Sequence, residues 1–124
     1  MREEVSNWWK QALRDLESAK NALRYKDYYV SSFLSQQAVE KALKALYIEK
    51  YDELLRIHDI VFFAKKVGLP DDLIAACKRL NPVYAETRYP DASGKLPAYE
   101  YSKDDATNDL KDAEKVLTWI EKKT

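Results

Sequence analysis

Gln36-Gln37-Ala38-Val39-Glu40-Lys41-Ala42-Leu43-Lys44-Ala45-Leu46 is the stretch whose reading decides the fold. It lies inside a helix predicted from about Tyr28 to Lys50. Val30, Leu34, Ala38, Ala42 and Ala45 form one apolar line at helical steps, and Phe33, Val39, Leu43 and Leu46 extend it. A helix that is apolar over most of its circumference belongs at the centre of a bundle. The same stretch carries a polar interruption. Gln37, Glu40, Lys41 and Lys44 recur at steps of three and four, which places them on one side. Two readings are open: a solvated stripe opposite the core, or a polar wall facing a cleft or partner, from which Lys41 or Lys44 reaches a phosphate.

The neighbouring segments are also helical. Residues 3–25 repeat Val5, Trp8, Ala12, Leu16, Ala19 and Leu23 along one face, widened by Trp9, Leu13 and Ala22. Tyr25-Lys26-Asp27 reads as a short connection with Asp27 as N-cap, so the first two helices should run antiparallel. A connection over 51–57 precedes a short helix from His58 to Val67, closed by Gly68 with Pro70 beyond it. Asp71-Asp72 open a fourth helix, whose face is Leu73, Ile74, Cys77 and Leu80. Pro82 kinks or restarts it, and the pattern resumes through Val83, Tyr84 and Ala85. Residues 88–101 read as one long, packed, irregular loop. Ser102-Lys103-Asp104-Asp105 resembles a capping box and starts a last helix with the stripe Ala106, Leu110, Ala113, Leu117 and Ile120. The expected architecture is all-α: an up-and-down bundle of about five helices, with one long loop before the last helix, in a single domain over residues 1–124.

Composition narrows the function. The 124 residues carry 21 Lys+Arg against 21 Asp+Glu. Residues 1–88 hold 15 basic and 13 acidic side chains, and residues 89–124 hold 6 and 8, so no strongly basic segment hides in the zero total. Bulk electrostatic attraction to nucleic acid or membrane is therefore unsupported, and a phosphate contact has to come from a few positioned residues. Cys77 stands alone, which excludes an intrachain disulfide or a cysteine-based zinc site and suits a reducing compartment. A single histidine, His58, excludes a zincin helix and the two Glu-x-x-His motifs of a di-iron bundle. Gly68 and Gly94 are too far apart for a Walker A or dinucleotide-binding loop. No metal or cofactor is expected. The charged start and the lack of a long apolar run point to a cytoplasmic, soluble protein. A charged content of 34% with few Gln and Asn is compatible with a thermophilic source.

Few residues are suited to chemistry. His58 is the one side chain that ordinarily titrates near neutrality, so it serves either as a general acid or base or as a structural cap. Arg88-Tyr89-Pro90-Asp91 opens the long loop with a planar cation suited to phosphate and a ring suited to stacking. Its bland alternative is a helix exit in which Arg88 neutralises the last carbonyls. Serine-nucleophile signatures are missing. Asp104, Asp105, Asp109 and Asp112 look solvated, and Trp8, Trp9, Tyr28, Tyr29 and Tyr47 are candidates for an assembly surface.

Ala12 to Leu23, the Gln36 to Leu46 string, His58-Asp59-Ile60, and Tyr84 with Arg88-Tyr89-Pro90-Asp91 together resemble a HEPN domain (higher eukaryotes and prokaryotes nucleotide-binding) over nearly the whole chain. The resemblance implies a four- or five-helix bundle, commonly a homodimer. Many stand-alone prokaryotic members partner a minimal nucleotidyltransferase, often as a toxin–antitoxin pair, and others are metal-independent ribonucleases. The ribonuclease signature is Arg, four to six residues, then His. Here the required Arg positions before His58 hold Tyr51, Asp52 and Glu53, while Arg56 is too close. The expectation is a non-catalytic subunit that binds a nucleotide-like ligand or pairs with a nucleotidyltransferase. Gln37, Glu40, Lys41, Lys44, His58, Arg88 and Tyr89 would line its functional surface. Lys44 and Arg88 would meet phosphate, Tyr89 a base or sugar, and His58 would orient or donate. The alternatives are a divergent ribonuclease using His58 as acid–base, with an RNA substrate, and a bundle whose only task is dimerisation.

Overall fold

The structure is a computed structural model that describes residues 2–93 and 96–123. The elements are α1 (Glu3–Arg24), α2 (Tyr28–Tyr51), α3 (Ile60–Lys66), α4 (Asp71–Leu80), α5 (Val83–Arg88), α6 (Pro90–Ser93), α7 (Pro97–Glu100) and α8 (Lys103–Lys123). No strand occurs among the described residues. α1 and α2 form the most extensive pair, and α8 packs mainly on α2 and also on α4 and α1. The α1–α2 pair is antiparallel: Ser31 Oγ donates to the Ala19 carbonyl at one end, and Val5 packs with Ala45 and Ile48 at the other.

α2 is central because its side chains are small where neighbours approach. Ala38, Ala42, Ser31, Ser32 and Ser35 are fully buried, which lets α1 and α8 close on it. Around them sit Leu43, Ile60, Phe63, Leu80, Val116 and Ile120, all with no exposed surface. Tyr47, expected on an assembly surface, belongs to this core, with its ring 5.3 Å from Phe63 in an edge-on contact. Trp8, Trp9, Tyr28 and Tyr29 are half-buried. Leu13 departs from the α1 stripe in the other direction and is exposed, because the buried face of α1 is narrowed to Val5, Ala12, Asp15 and Ala19.

Turns follow local chemistry, with some departures. Gly68 adopts φ +83° and closes α3 as a Schellman turn: Leu69 N–H donates to Ala64 O at 3.0 Å and Gly68 N–H to Lys65 O at 3.3 Å. α1 ends the same way, with Asp27 N–H on Ala22 O at 2.8 Å and Lys26 in the left-handed position at φ 64°. Asp27 thus completes that turn and does not cap α2 with its side chain. α3 starts two residues later than expected because Asp59, not a residue before His58, is its cap: Asp59 Oδ1 accepts from Val61 N–H at 3.0 Å and Phe62 N–H at 3.1 Å. The Ser102–Asp105 capping box is present, reciprocal at 3.0 Å in both directions.

The segment expected as one long loop holds two single helical turns, α6 and α7, each opened by a proline. Proline's fixed φ and missing donor suit that first position. Gly94 and Lys95, within the same expected loop, lie outside the described residues. On α8, Asp112 is buried and Asp109 half-buried instead of solvated. Asp112 accepts a bidentate bond from Arg79 on α4, both contacts at 2.9 Å, which compensates its burial.

Candidate functional site

The polar seam on α2 is not a solvated stripe. Glu40 is 3% and Lys44 4% exposed. Their line continues to Gln36, one turn earlier and fully buried, since positions 36, 40 and 44 stack on one helical face. Gln37 and Lys41 are rotated about 100° from that line. Lys41 turns toward α1, where Asp15 accepts from its ammonium and from Gln11 Nε2 at 2.9 Å. Gln37 Nε2 donates to Gln36 Oε1 at 2.8 Å.

Burying Glu40 demands partners. Gln36 Nε2 donates to Glu40 Oε1 at 3.2 Å, and Lys44 Nζ donates to Oε2 at 3.1 Å. The Lys44 ammonium also lies 5.6 Å from the Trp8 ring centroid and 5.8 Å from that of Phe63. Lys44, expected to reach a phosphate, is therefore enclosed. The third partner of Glu40 comes from the connection after α2: His58 Nδ1 is 3.0 Å from Oε2.

His58 is held in place by the chain that follows it. Asp59 caps α3 and also accepts from Asn81 Nδ2 at 3.1 Å, while Asn81 Oδ1 accepts from Ile60 N–H at 3.2 Å. The imidazole is buried on its Glu40 side and about half exposed overall, with a side-chain exposure of 49%. Its face stacks on Tyr84, with ring centroids 4.1 Å apart and an interplanar angle of 16°. Arg88, one turn further along α5, places its guanidinium carbon 5.0 Å from the Tyr84 ring centroid. The same carbon is 5.8 Å from the centroid of Phe33 and 5.7 Å from that of Tyr89. Among the described residues no carboxylate pairs with Arg88. Burial pushes the Tyr84 hydroxyl above its ordinary pKa, although the Arg88 charge pulls it the other way.

The fold thus brings together Glu40, His58 and Arg88, with Tyr89 exposed at the rim of the Arg88 ring cluster. Lys41 belongs to the α1 contact, and Lys44 lies behind Glu40. Two residues absent from the expected surface complete the arrangement: Gln36 and Tyr84. Each stands four residues before a member that was expected, Glu40 and Arg88, and that helical spacing was the available signal. The arrangement holds an imidazole and a guanidinium against one tyrosine ring.

A separate cavity of about 340 Å³ lies between α5, α7 and α8, lined by Arg79, Glu86, Tyr101, Asp105 and Asp109 among others. Tyr101 Oη donates to Glu86 Oε2 at 3.1 Å. Burial raises the Asp109 carboxyl to about 6, with the nearby Ser32 hydroxyl opposing the shift and Asp112, Asp105 and Glu86 adding to it. None of the expected site residues lines this cavity. Among the described residues no group of His, Cys, Asp and Glu is placed to hold a metal ion. No described helix is long and apolar enough to cross a membrane.

The chain is an all-α bundle with a buried Gln-Glu-Lys line and a His-Tyr-Arg stack. The HEPN domain family matches residues 5–123. A protein of Methanocaldococcus jannaschii named "Putative toxin MJ1304" is 37% identical over 125 residues, covering 90% of this chain and 82% of that protein. Among solved structures, TT1696 from Thermus thermophilus is 33% identical with a TM-score of 0.91, covering 99% of this chain and 100% of that one. The archaeal HEPN homologue ST0689 is also 33% identical, with a TM-score of 0.83 over 99% and 98% of the two chains. This chain belongs to the HEPN domain family.

Proposed function

We propose that this chain is a toxin-type HEPN subunit that binds the phosphate of a nucleotide or RNA at the His58–Arg88 face. In this reading it works as a homodimer paired with an antitoxin protein of the minimal nucleotidyltransferase kind. The observation that carries the reading is the His58–Tyr84–Arg88 stack. It sets a half-exposed imidazole and a cation that pairs with no carboxylate among the described residues around one ring, beside the exposed Tyr89. Guanidinium matches phosphate oxygens geometrically, and a neighbouring tyrosine ring stacks on a base. The name of the archaeal relative supports the toxin–antitoxin setting. Titration of AMP and of a short single-stranded RNA tests it. Arg88→Ala and His58→Ala should each weaken binding by about tenfold or more, as loss of a charge-assisted hydrogen bond does. Unchanged affinity in both variants overturns the assignment.

The Glu40–His58 hydrogen bond favours a second reading, metal-independent RNA cleavage. A carboxylate-held imidazole can take a proton from a ribose 2′-hydroxyl, and Arg88 can stabilise charge on the phosphate. Cleavage in the presence of a chelator by the wild type, lost in His58→Ala, identifies this activity. Equal, negligible cleavage by both removes it.

A further inference from the structure

We infer that Gln36 and Lys44 are positioning residues for His58, acting through Glu40 to fix which imidazole nitrogen carries the proton. The inference rests on the ligand-binding reading only for what the outward nitrogen then does.

Glu40 is nearly enclosed and receives three donors: Gln36 Nε2 on Oε1, and Lys44 Nζ and His58 Nδ1 on Oε2. Each donor is itself constrained. Gln37 Nε2 donates to Gln36 Oε1, so the amide nitrogen of Gln36 is the end that faces Glu40. The Lys44 ammonium is lodged against Trp8 of α1 and Phe63 of α3. The Glu40 carboxylate therefore has little freedom to rotate. An ionised carboxylate only accepts hydrogen bonds, so the proton shared with His58 resides on Nδ1. In the neutral ring Nε2 then keeps its lone pair. Free imidazole side chains in water favour the opposite tautomer, with the proton on Nε2, so the fold is imposing the choice. Arg88, beyond Tyr84, offers no acceptor. Among the described residues no protein acceptor meets Nε2. The outward nitrogen accordingly accepts a hydrogen bond from a ligand hydroxyl when the ring is neutral, and donates to a phosphate oxygen when it is protonated.

His58 is the chain's single histidine, so the imidazole nitrogen spectrum of the untagged, nitrogen-15-labelled protein reports this ring alone. Two-bond proton–nitrogen correlations, recorded above the ring's titration, should show Nδ1 protonated and Nε2 unprotonated in the wild type. Lys44→Met and Gln36→Leu should each move the ring toward the Nε2–H tautomer and weaken AMP binding by about fivefold. Should Lys44→Met fail to fold, Gln36→Leu, which removes no charge, carries the comparison. A wild-type ring protonated on Nε2 overturns the inference, and so does an unchanged tautomer in folded variants. If the tautomer shifts as expected while Arg88→Ala and His58→Ala leave AMP and RNA binding intact, the positioning role stands and the ligand-binding reading falls.

Discussion

Asp109 and Lys26 each sit in a setting that disfavours their side chain, and each gives a direct measurement. The Asp109 carboxyl is raised to about 6, chiefly by burial. Its ionised form is thus disfavoured in the fold. The contribution is neutral below the unfolded value near 3.8 and becomes a penalty as pH rises through about 6. Asp109→Asn should therefore raise the unfolding free energy by about 1 kcal/mol near pH 7.5, the full shift being reduced by the solvent that reaches the half-buried group. The gain should vanish near pH 4. Thermal unfolding at the two pH values checks both sign and window. Lys26 occupies a left-handed position at φ 64°, where a Cβ is strained. Lys26→Gly should stabilise the chain by about 0.5–1 kcal/mol in urea unfolding, since the relief exceeds the added backbone entropy of the unfolded state.

At the scale of elements, the candidate site depends on where α3 begins. The Asp59 side chain caps α3 and grips Asn81, which leaves His58 in the extended connection, facing Glu40. Asp59→Ala should cost about 1–2 kcal/mol of stability from the lost cap and the stranded Asn81 amide. It should also weaken ligand binding without touching a ligand contact. Denaturant unfolding together with AMP titration separates the two effects. α5 contributes through its shortness. It runs only from Val83 to Arg88 and is restarted after Pro82, which delivers Tyr84 and Arg88 on successive turns of one face.

For the whole molecule, the core formed around α2 sets the rigidity behind the site. Phe63 is fully buried, touches Tyr47, and forms one wall around the Lys44 ammonium. Phe63→Ala should cost about 3–5 kcal/mol in global unfolding, the range for emptying a buried aromatic position. It should also loosen the Lys44–Glu40 pair, visible as a change at the His58 ring nitrogens. Among the buried polar groups of α2, Gln36, Glu40 and Lys44 satisfy one another within the helix, while Ser31 and Glu40 also reach outside it, to the Ala19 carbonyl and to His58.

The sequence by itself determined the helices, because apolar spacing and capping chemistry are local. The extents of α1, α2 and α8, the start of α4, the Gly68 turn and the Ser102–Asp105 box were all legible there. It also marked Glu40, His58 and Arg88 as unusual. What it left open was which polar residues on α2 face inward. Positions 36, 40 and 44 and positions 37 and 41 differ only by one step around the helix. That step is resolved by α1, which supplies Asp15 to Lys41, and by the connection that swings His58 onto Glu40. The stacking of His58 on Tyr84 was equally out of reach, since it joins residues 26 positions apart through the packing of α5 on α2. Helix formation is a short-range property of the chain. The site is made by long-range packing, and only the tertiary structure brings its residues together.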